Sequence, residues 1–503
     1  MRRAVLSLLA LFAACSGEPS PAGQVLIWAR GGDSSTLDPA EIEWGEDVKI
    51  SQNIQETLVA YRTRSADLEP RLATSWAFSD DGLKATFELR DGVLFHDGSA
   101  FDAEDVVFSF QRLLDPNHPR KPRSAPYAPS FGMVEAVKAD GPRKVVFTLK
   151  TPSAVFLGNL ALFTGGIVPS ESGDDLGRKP VGTGPYRLAR WEKDVKIELE
   201  RFDRYWGPKP AIPSVIVIPV ASPQTAVEKL RRGEAHVVDH PTLSDAQALK
   251  NDPAARVLSL PGMNIAFLAF NMKRPPYNHP SFRRAVSLAL DRKAINALVL
   301  HGLGEPASNV VPPSVWKDVA PPYEEDLAKA KAALAEVRPP PKDVELMYNT
   351  LPRPYNPEPQ RLAEAVRDQL RRIGLEVKLV AYDRPAFNEK YKVDGHPMYL
   401  SGWIADVADP DNFFHPLLHG ESKKGLNGSF FDDPAFNTAV SGAQRERDPA
   451  KRRALFSLAY ARYRAELPTL PLVHLPTVLA TAKNVRYELH PIEYRFYEAS
   501  FGP

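Results

Sequence analysis

Forty-eight prolines and thirty glycines are spread through 503 residues, so few windows allow a long helix and the chain must be assembled from many short elements. No heptad run and no repeat period is visible, which sets coiled coils and solenoids aside. Strand signals stand between the breakers. Lys84 to Leu89 alternates polar and apolar after an Asp81-Gly82 turn, Val145 to Leu149 is β-branched and apolar, and Lys196 to Glu200 alternates again. Helices are interspersed. Ser222-Pro223 reads as an N-cap and first-turn proline opening a helix that stops at Gly233, and Pro359 to Ile373 as an amphipathic helix ended by Gly374, after which Val377 and Leu379 begin a strand. Strand and helix alternate in both halves, which predicts α/β domains with helices on mixed sheets and two lobes. The length alone suggests about three folding units.

The N-terminus is a different kind of segment. Arg2 and Arg3 precede an apolar run from Ala4 to Ala14 broken only by Ser7, the pattern of a secretory signal peptide. The run is far shorter than the roughly 20 residues of a membrane-spanning helix, and no later segment reaches that length without charges. Cys15 is the only cysteine and follows Phe12-Ala13-Ala14, where a signal would be cut. This resembles a lipobox, with Phe12 in place of the usual leucine; Cys15 would then become the lipid-carrying first residue, and Ser16 to Gly23 a polar tether. Disulfides and thiolate chemistry are excluded from the body. Lys plus Arg number 63 against 62 for Asp plus Glu, so no bulk field draws the chain to nucleic acid or an anionic membrane.

A series of short motifs runs through the remainder. Leu37-Asp38-Pro39 comes first, then Leu68 to Trp76, Phe95-His96-Asp97-Gly98 and Ala103 to Val106. Gly182-Thr183-Gly184-Pro185-Tyr186, Tyr205-Trp206-Gly207, Phe270-Asn271, Phe282 to Ala285, Leu290-Asp291-Arg292 and Trp403 to Phe413 follow. Most read as scaffold: Asp97-Gly98 is a turn, Glu104 and Asp105 suit a helix start, and Trp76 and Tyr205-Trp206 are bulky core fillers. In this order, however, they resemble the peptide and nickel class of solute-binding proteins of ABC importers over nearly the whole mature chain. The resemblance implies a two-lobed α/β fold of the periplasmic-binding-protein type, with a hinge and an extra domain inserted in the first lobe. By that analogy residues 1–14 are the signal peptide, 15–23 the lipidated tether, and 24–60, 169–265 and 480–503 the first lobe. Residues 61–168 are the insert and 266–479 the second lobe.

Two stretches carry chemistry suited to a small zwitterion. In Arg353-Pro354-Tyr355-Asn356-Pro357 the prolines stiffen a loop ahead of the helix from Pro359, and a rigid loop can aim a guanidinium fork at a carboxylate. The second stretch, Gly402 to Phe413, reads as a loop leaving a strand at Met398 to Leu400. Asp406 could accept hydrogen bonds from an ammonium there, with Trp403 as a flat apolar wall, while Asp409 and Asp411 cap the following turn and helix. Both stretches resemble segments of dipeptide-binding proteins. The resemblance gives Arg353 the peptide carboxylate and Asp406 the amine, with Tyr355 and Trp403 beside them.

The function expected is therefore that of a lipid-anchored carrier in the bacterial envelope, on the periplasmic side. It captures short peptides by their charged ends and passes them to the membrane subunits of an ABC importer, as a monomer without cofactor or metal. The alternatives are the same fold with a non-peptide, metal-chelate or haem cargo, and an envelope peptidase. Against an enzyme stands the lack of Gly-x-Ser-x-Gly and His-Glu-x-x-His patterns. His415 and His419 have the spacing of a metal pair but enclose Pro416, and Arg231-Arg232 and Arg452-Arg453 read as solvated helix faces rather than a nucleic-acid stripe.

Overall fold

The computed structural model describes residues 25–63, 67–317, 321–341, 344–393 and 395–502; the leader, Cys15 and the tether lie outside the described residues. Two large mixed sheets organise the chain. The first has seven strands, in the order Ala255–Leu260, Thr477–Ala482, Val237–Val238, Val25–Arg30, Ser214–Pro219, Lys196–Arg201 and Tyr186–Glu192. The two-residue period of a strand sorts its side chains to opposite faces. From Val25–Arg30, Leu26 and Trp28 join a buried cluster with Tyr186 and Phe496, whereas Ala29 joins another with Val227 and Leu249.

The second sheet has six strands, in the order Glu305–Pro306, Thr469–His474, Asn264–Ala269, Met398–Ile404, Val344–Asn349 and Val377–Tyr382. Asn264–Ala269 is buried at every position, with Ala266 and Leu268 in one cluster and Ile265, Phe267 and Ala269 in the other. A strand covered on both faces loses its polar alternation, which hides its period in the sequence. A separate antiparallel sheet of Ala73–Phe78, Lys84–Leu89, Lys144–Leu149 and Val134–Ala139 has its own core beneath the helix Ala103–Leu114. That helix opens on a capping box between Asp102 and Asp105.

The chain passes between the two large sheets twice, between Leu260 and Asn264 and again between His474 and Thr477. The two crossings lie against each other. A Cβ at Gly262 would fall 2.0 Å from the Leu475 carbonyl oxygen, and the Asn264 amide donates to that oxygen (2.8 Å) and accepts from the Leu475 N–H (2.9 Å).

The strands expected at Lys84–Leu89, Val145–Leu149 and Lys196–Glu200 are present, as are helices Pro223–Arg231 and Pro359–Arg371. Ser222 caps the first of these through the Thr225 N–H, and Gly374 takes the left-handed φ of 82° that ends the second. One difference matters for function. The strand from Met398 continues through Ile404, so Gly402 and Trp403 are strand residues paired with Ala266 and Ile265, not loop residues. Ladder hydrogen bonds to the buried neighbouring strand override the local turn signal of Gly402.

Candidate functional site

Three neighbouring strands of the second sheet, Met398–Ile404, Val344–Asn349 and Val377–Tyr382, run parallel and so end on the same side. Ligands of α/β folds collect at such carboxyl ends. The segments that follow the three strands carry Asp406, Arg353 with Tyr355, and Arg384, in the order of those strands across the sheet.

The Arg353 segment is a tight turn. Arg353 and Asn356 exchange two backbone hydrogen bonds (3.0 and 2.8 Å), and the Thr350 N–H ties the loop to the Tyr382 carbonyl at 2.9 Å. The Tyr355 ring lies against Gly402, where a Cβ would come 2.3 Å from the ring carbon Cδ2. The turn is thus seated on the strand that delivers Asp406. Arg353 is half-buried, with its guanidinium 6.0 Å from the Tyr355 ring centroid and no carboxylate in ion-pair contact among the described residues.

Asn412 fixes the other end. Its Oδ1 accepts from the Asp406 N–H (3.1 Å) and from the Trp403 indole (3.2 Å), while the Trp403 ring packs against the core. The Asp406 carboxylate is half-buried and receives only the Tyr127 hydroxyl, at 3.4 Å; no cation pairs with it among the described residues. Burial pushes its pKa up to about 6, slightly opposed by the Tyr127 hydrogen bond.

Tyr127 packs on Phe163, and Ala125 and Ala128 beside it pack on the core of the four-stranded sheet, so the contact places Asp406 where that core meets the second sheet. Val407 belongs to that same core, close enough to Gly158 that a Cβ there would clash at 2.8 Å. At the far end of the row the Arg384 guanidinium stacks 4.6 Å from the ring of Trp44, at the start of the first-sheet helix Gly45–Ile54. The charge of Glu43, beside Trp44, acts on both Tyr127 and Arg384. Charge interactions therefore link Asp406 to Tyr127, Tyr127 and Arg384 to Glu43, and Arg384 to Arg353. Tyr127, Trp44 and Arg384 were not singled out from the sequence, where nothing distinguishes them from surface residues.

Other sequence readings change. Asp409 does accept the Asp411 N–H (2.8 Å), but its main partner is Arg452, gripped at 2.7 and 2.8 Å; Arg452 is therefore not a solvated helix residue. Asp411 does not cap the helix Asp411–Leu418; it is half-buried, bonded to Gln444, with its pKa pushed up to about 7 by burial and then by Asp409. Tyr205 and Trp206 are half-buried and donate to the buried Glu56 rather than simply filling a core. Glu421 joins His415 and His419, with ligand atoms within 4.8 Å of one another. The His419 nitrogens already engage the Glu421 N–H and the Asn437 carbonyl and Ser441 hydroxyl, which leaves His419 no lone pair for an ion.

Residues 67–425 match the bacterial extracellular solute-binding proteins, family 5 Middle, and the chain belongs to this family. A relative from Pseudomonas aeruginosa, di/tripeptide-binding protein 2, is 32% identical, with 91% of each chain covered. Heme-binding protein A of Haemophilus influenzae is also 32% identical, covering 90% of this chain and 87% of its own. A periplasmic binding protein of Helicobacter pylori, solved with the peptide STSA, superposes with a TM-score of 0.82 at 30% identity, covering 95% of this chain and 98% of its own. The fold is thus that of the two-lobed periplasmic binding proteins. Among the described residues no helix is long and apolar enough to cross a membrane.

Proposed function

We propose that this protein is a lipid-anchored, periplasmic-side carrier that captures short peptides by their charged termini and delivers them, as a monomer, to the membrane subunits of an ABC importer. In this reading residues 24–60, 169–265 and 480–503 form the first lobe, 61–168 its insert and 266–479 the second lobe, with Cys15 carrying the lipid. Arg353 takes the peptide carboxylate and Asp406 the amine, while Tyr355 and Trp403 set the floor between them.

The observation that carries the proposal is a pair of opposite charges, without ion-pair partners among the described residues, on the segments that follow two adjacent parallel strands. A half-buried carboxylate without a cation is costly, and its raised pKa registers that cost. A peptide ammonium supplies the missing charge, and a peptide carboxylate does the same for Arg353, so closing the lobes buries two matched pairs instead of two lone ions. Relatives named for di- and tripeptides support the cargo class. The relative named for haem keeps a second cargo in view, but haem's propionates bring no cation to Asp406.

A thermal-shift screen of the ligand-free protein tests this, because a ligand selective for the folded state raises the melting temperature by mass action. Di- and tripeptides with free termini should raise it, and peptides blocked at both ends should not. Stabilisation by haem with no response to any free peptide would overturn the proposal. Peptides recovered intact by mass spectrometry after incubation are expected; cleavage would point to a peptidase.

A further inference from the structure

The row of charges at the strand ends does not stop at Arg353. Val377–Tyr382 lies beside Val344–Asn349 in parallel register, with Asn349 opposite Tyr382, and the Thr350 N–H is bonded to the Tyr382 carbonyl. Arg353 follows the first strand by four residues and Arg384 the second by two, so both cations leave the same edge, on the side of Arg353 away from Asp406. Arg384 is half-buried against the Trp44 ring and has no ion-pair partner among the described residues. Its pKa is lowered, first by burial and then by the positive charge of Arg353, with Glu43 offsetting part of this. Two adjacent guanidinium groups that repel each other while partly desolvated are more stable with anions between or beside them.

We infer that Arg384 forms a second anion subsite next to Arg353, which makes the cleft selective for short peptides whose C-terminal residue carries an acidic side chain. The inference rests on the peptide reading of Arg353 and Asp406. With the peptide amine on Asp406 and its α-carboxylate on Arg353, the next position outward belongs to the C-terminal side chain. The parallel register brings the two arginine-bearing segments side by side, so a C-terminal aspartate or glutamate, with its two carboxylates, can serve both cations. The planar Arg384 guanidinium lies over the Trp44 ring, and none of its donors is in an ion pair among the described residues. Trp44 belongs to the opposite half of the molecule, so an acidic side chain held by Arg384 would also favour the closed arrangement.

The test is calorimetric titration of Ala-Glu and its neutral isostere Ala-Gln into the ligand-free protein and into Arg384→Gln, with melting curves to confirm that the variant folds. A charge-assisted hydrogen bond that the neutral amide cannot match corresponds to about tenfold or more in affinity. The wild type should therefore bind Ala-Glu at least about tenfold more tightly than Ala-Gln. Arg384→Gln should abolish that preference, so that the two peptides bind the variant within about twofold of each other. Equal binding of the two peptides by the wild type overturns the subsite while leaving the peptide reading intact. An equal loss for both peptides in Arg384→Gln would instead make Arg384 a strap between the lobes and also overturn the subsite. Failure of both peptides to bind the wild type would remove the peptide reading itself, and this inference with it.

Discussion

Asp406 combines a cost to stability with an opportunity for binding. Its folded pKa, about 6, lies above the ordinary carboxylate value near 3.9, so the folded state holds the proton more tightly than the unfolded chain. The penalty is absent below about pH 4, grows as pH rises to about 6 and stays at full size above that. Asp406→Asn removes the charge and should raise the melting temperature of the ligand-free protein at pH 7, by on the order of 1–2 kcal/mol of stability. The same change should weaken peptide binding. A bound ammonium pulls the carboxylate pKa back down, so wild-type affinity should fall as pH drops through about 6, with proton release on binding near that pH. Titrations from pH 5 to 8 check this, and a profile that is flat in the wild type would count against an Asp406–ammonium contact. Tyr127 also faces this group, but burial and the Asp406 charge raise its pKa away from this range.

At the scale of elements, the Arg353 turn and the strand that leads to Asp406 depend on each other through Gly402. A Cβ at this position would meet the Ile265 carbonyl oxygen and the Tyr355 ring, both at 2.3 Å, so Gly402→Ala must push the Tyr355 turn off its strand. Overpacking of this kind typically costs about 1–3 kcal/mol. The displaced Arg353 should lower peptide affinity by more than tenfold while far-ultraviolet circular dichroism stays unchanged; unaltered affinity would show that Tyr355 does not position Arg353. This contact explains what the sequence could and could not reveal. The turn itself was legible from Pro354 and Pro357, and the following helix from Pro359 and Gly374, because local backbone restrictions decide both. The extent of the strand to Ile404 was not, since its pairing partner Asn264–Ala269 lies more than a hundred residues away. Arg384 escaped for a similar reason: its significance comes from the parallel register that brings it beside Arg353, and register is a tertiary property.

For the whole molecule, the motifs scattered from Leu37 to Phe413 proved more informative than periodicity, because their order reflects one architecture even where each is scaffold. Gly182 and Gly184 illustrate this: a Cβ at either would collide with backbone oxygens of Ile54 and Asn53, at 2.0 and 2.6 Å, so the motif records a close approach between chain segments and not a ligand. The proposed anchor, Cys15, lies outside the described residues. Cys15→Ser should move the protein from the membrane to the soluble fraction of the envelope with peptide affinity unchanged; retention at the membrane would contradict lipidation at Cys15. The central claim is that Arg353 and Asp406 hold opposite ends of one short peptide. Calorimetry with a free dipeptide, its N-acetylated form and its C-amidated form, against wild type, Arg353→Ala and Asp406→Ala, tests it most directly. In the wild type each blocked end should cost about 2–5 kcal/mol. Acetylation should cost little further in Asp406→Ala, and amidation little further in Arg353→Ala. Losses that simply add, whichever residue is removed, would contradict the assignment of the two termini to these two side chains.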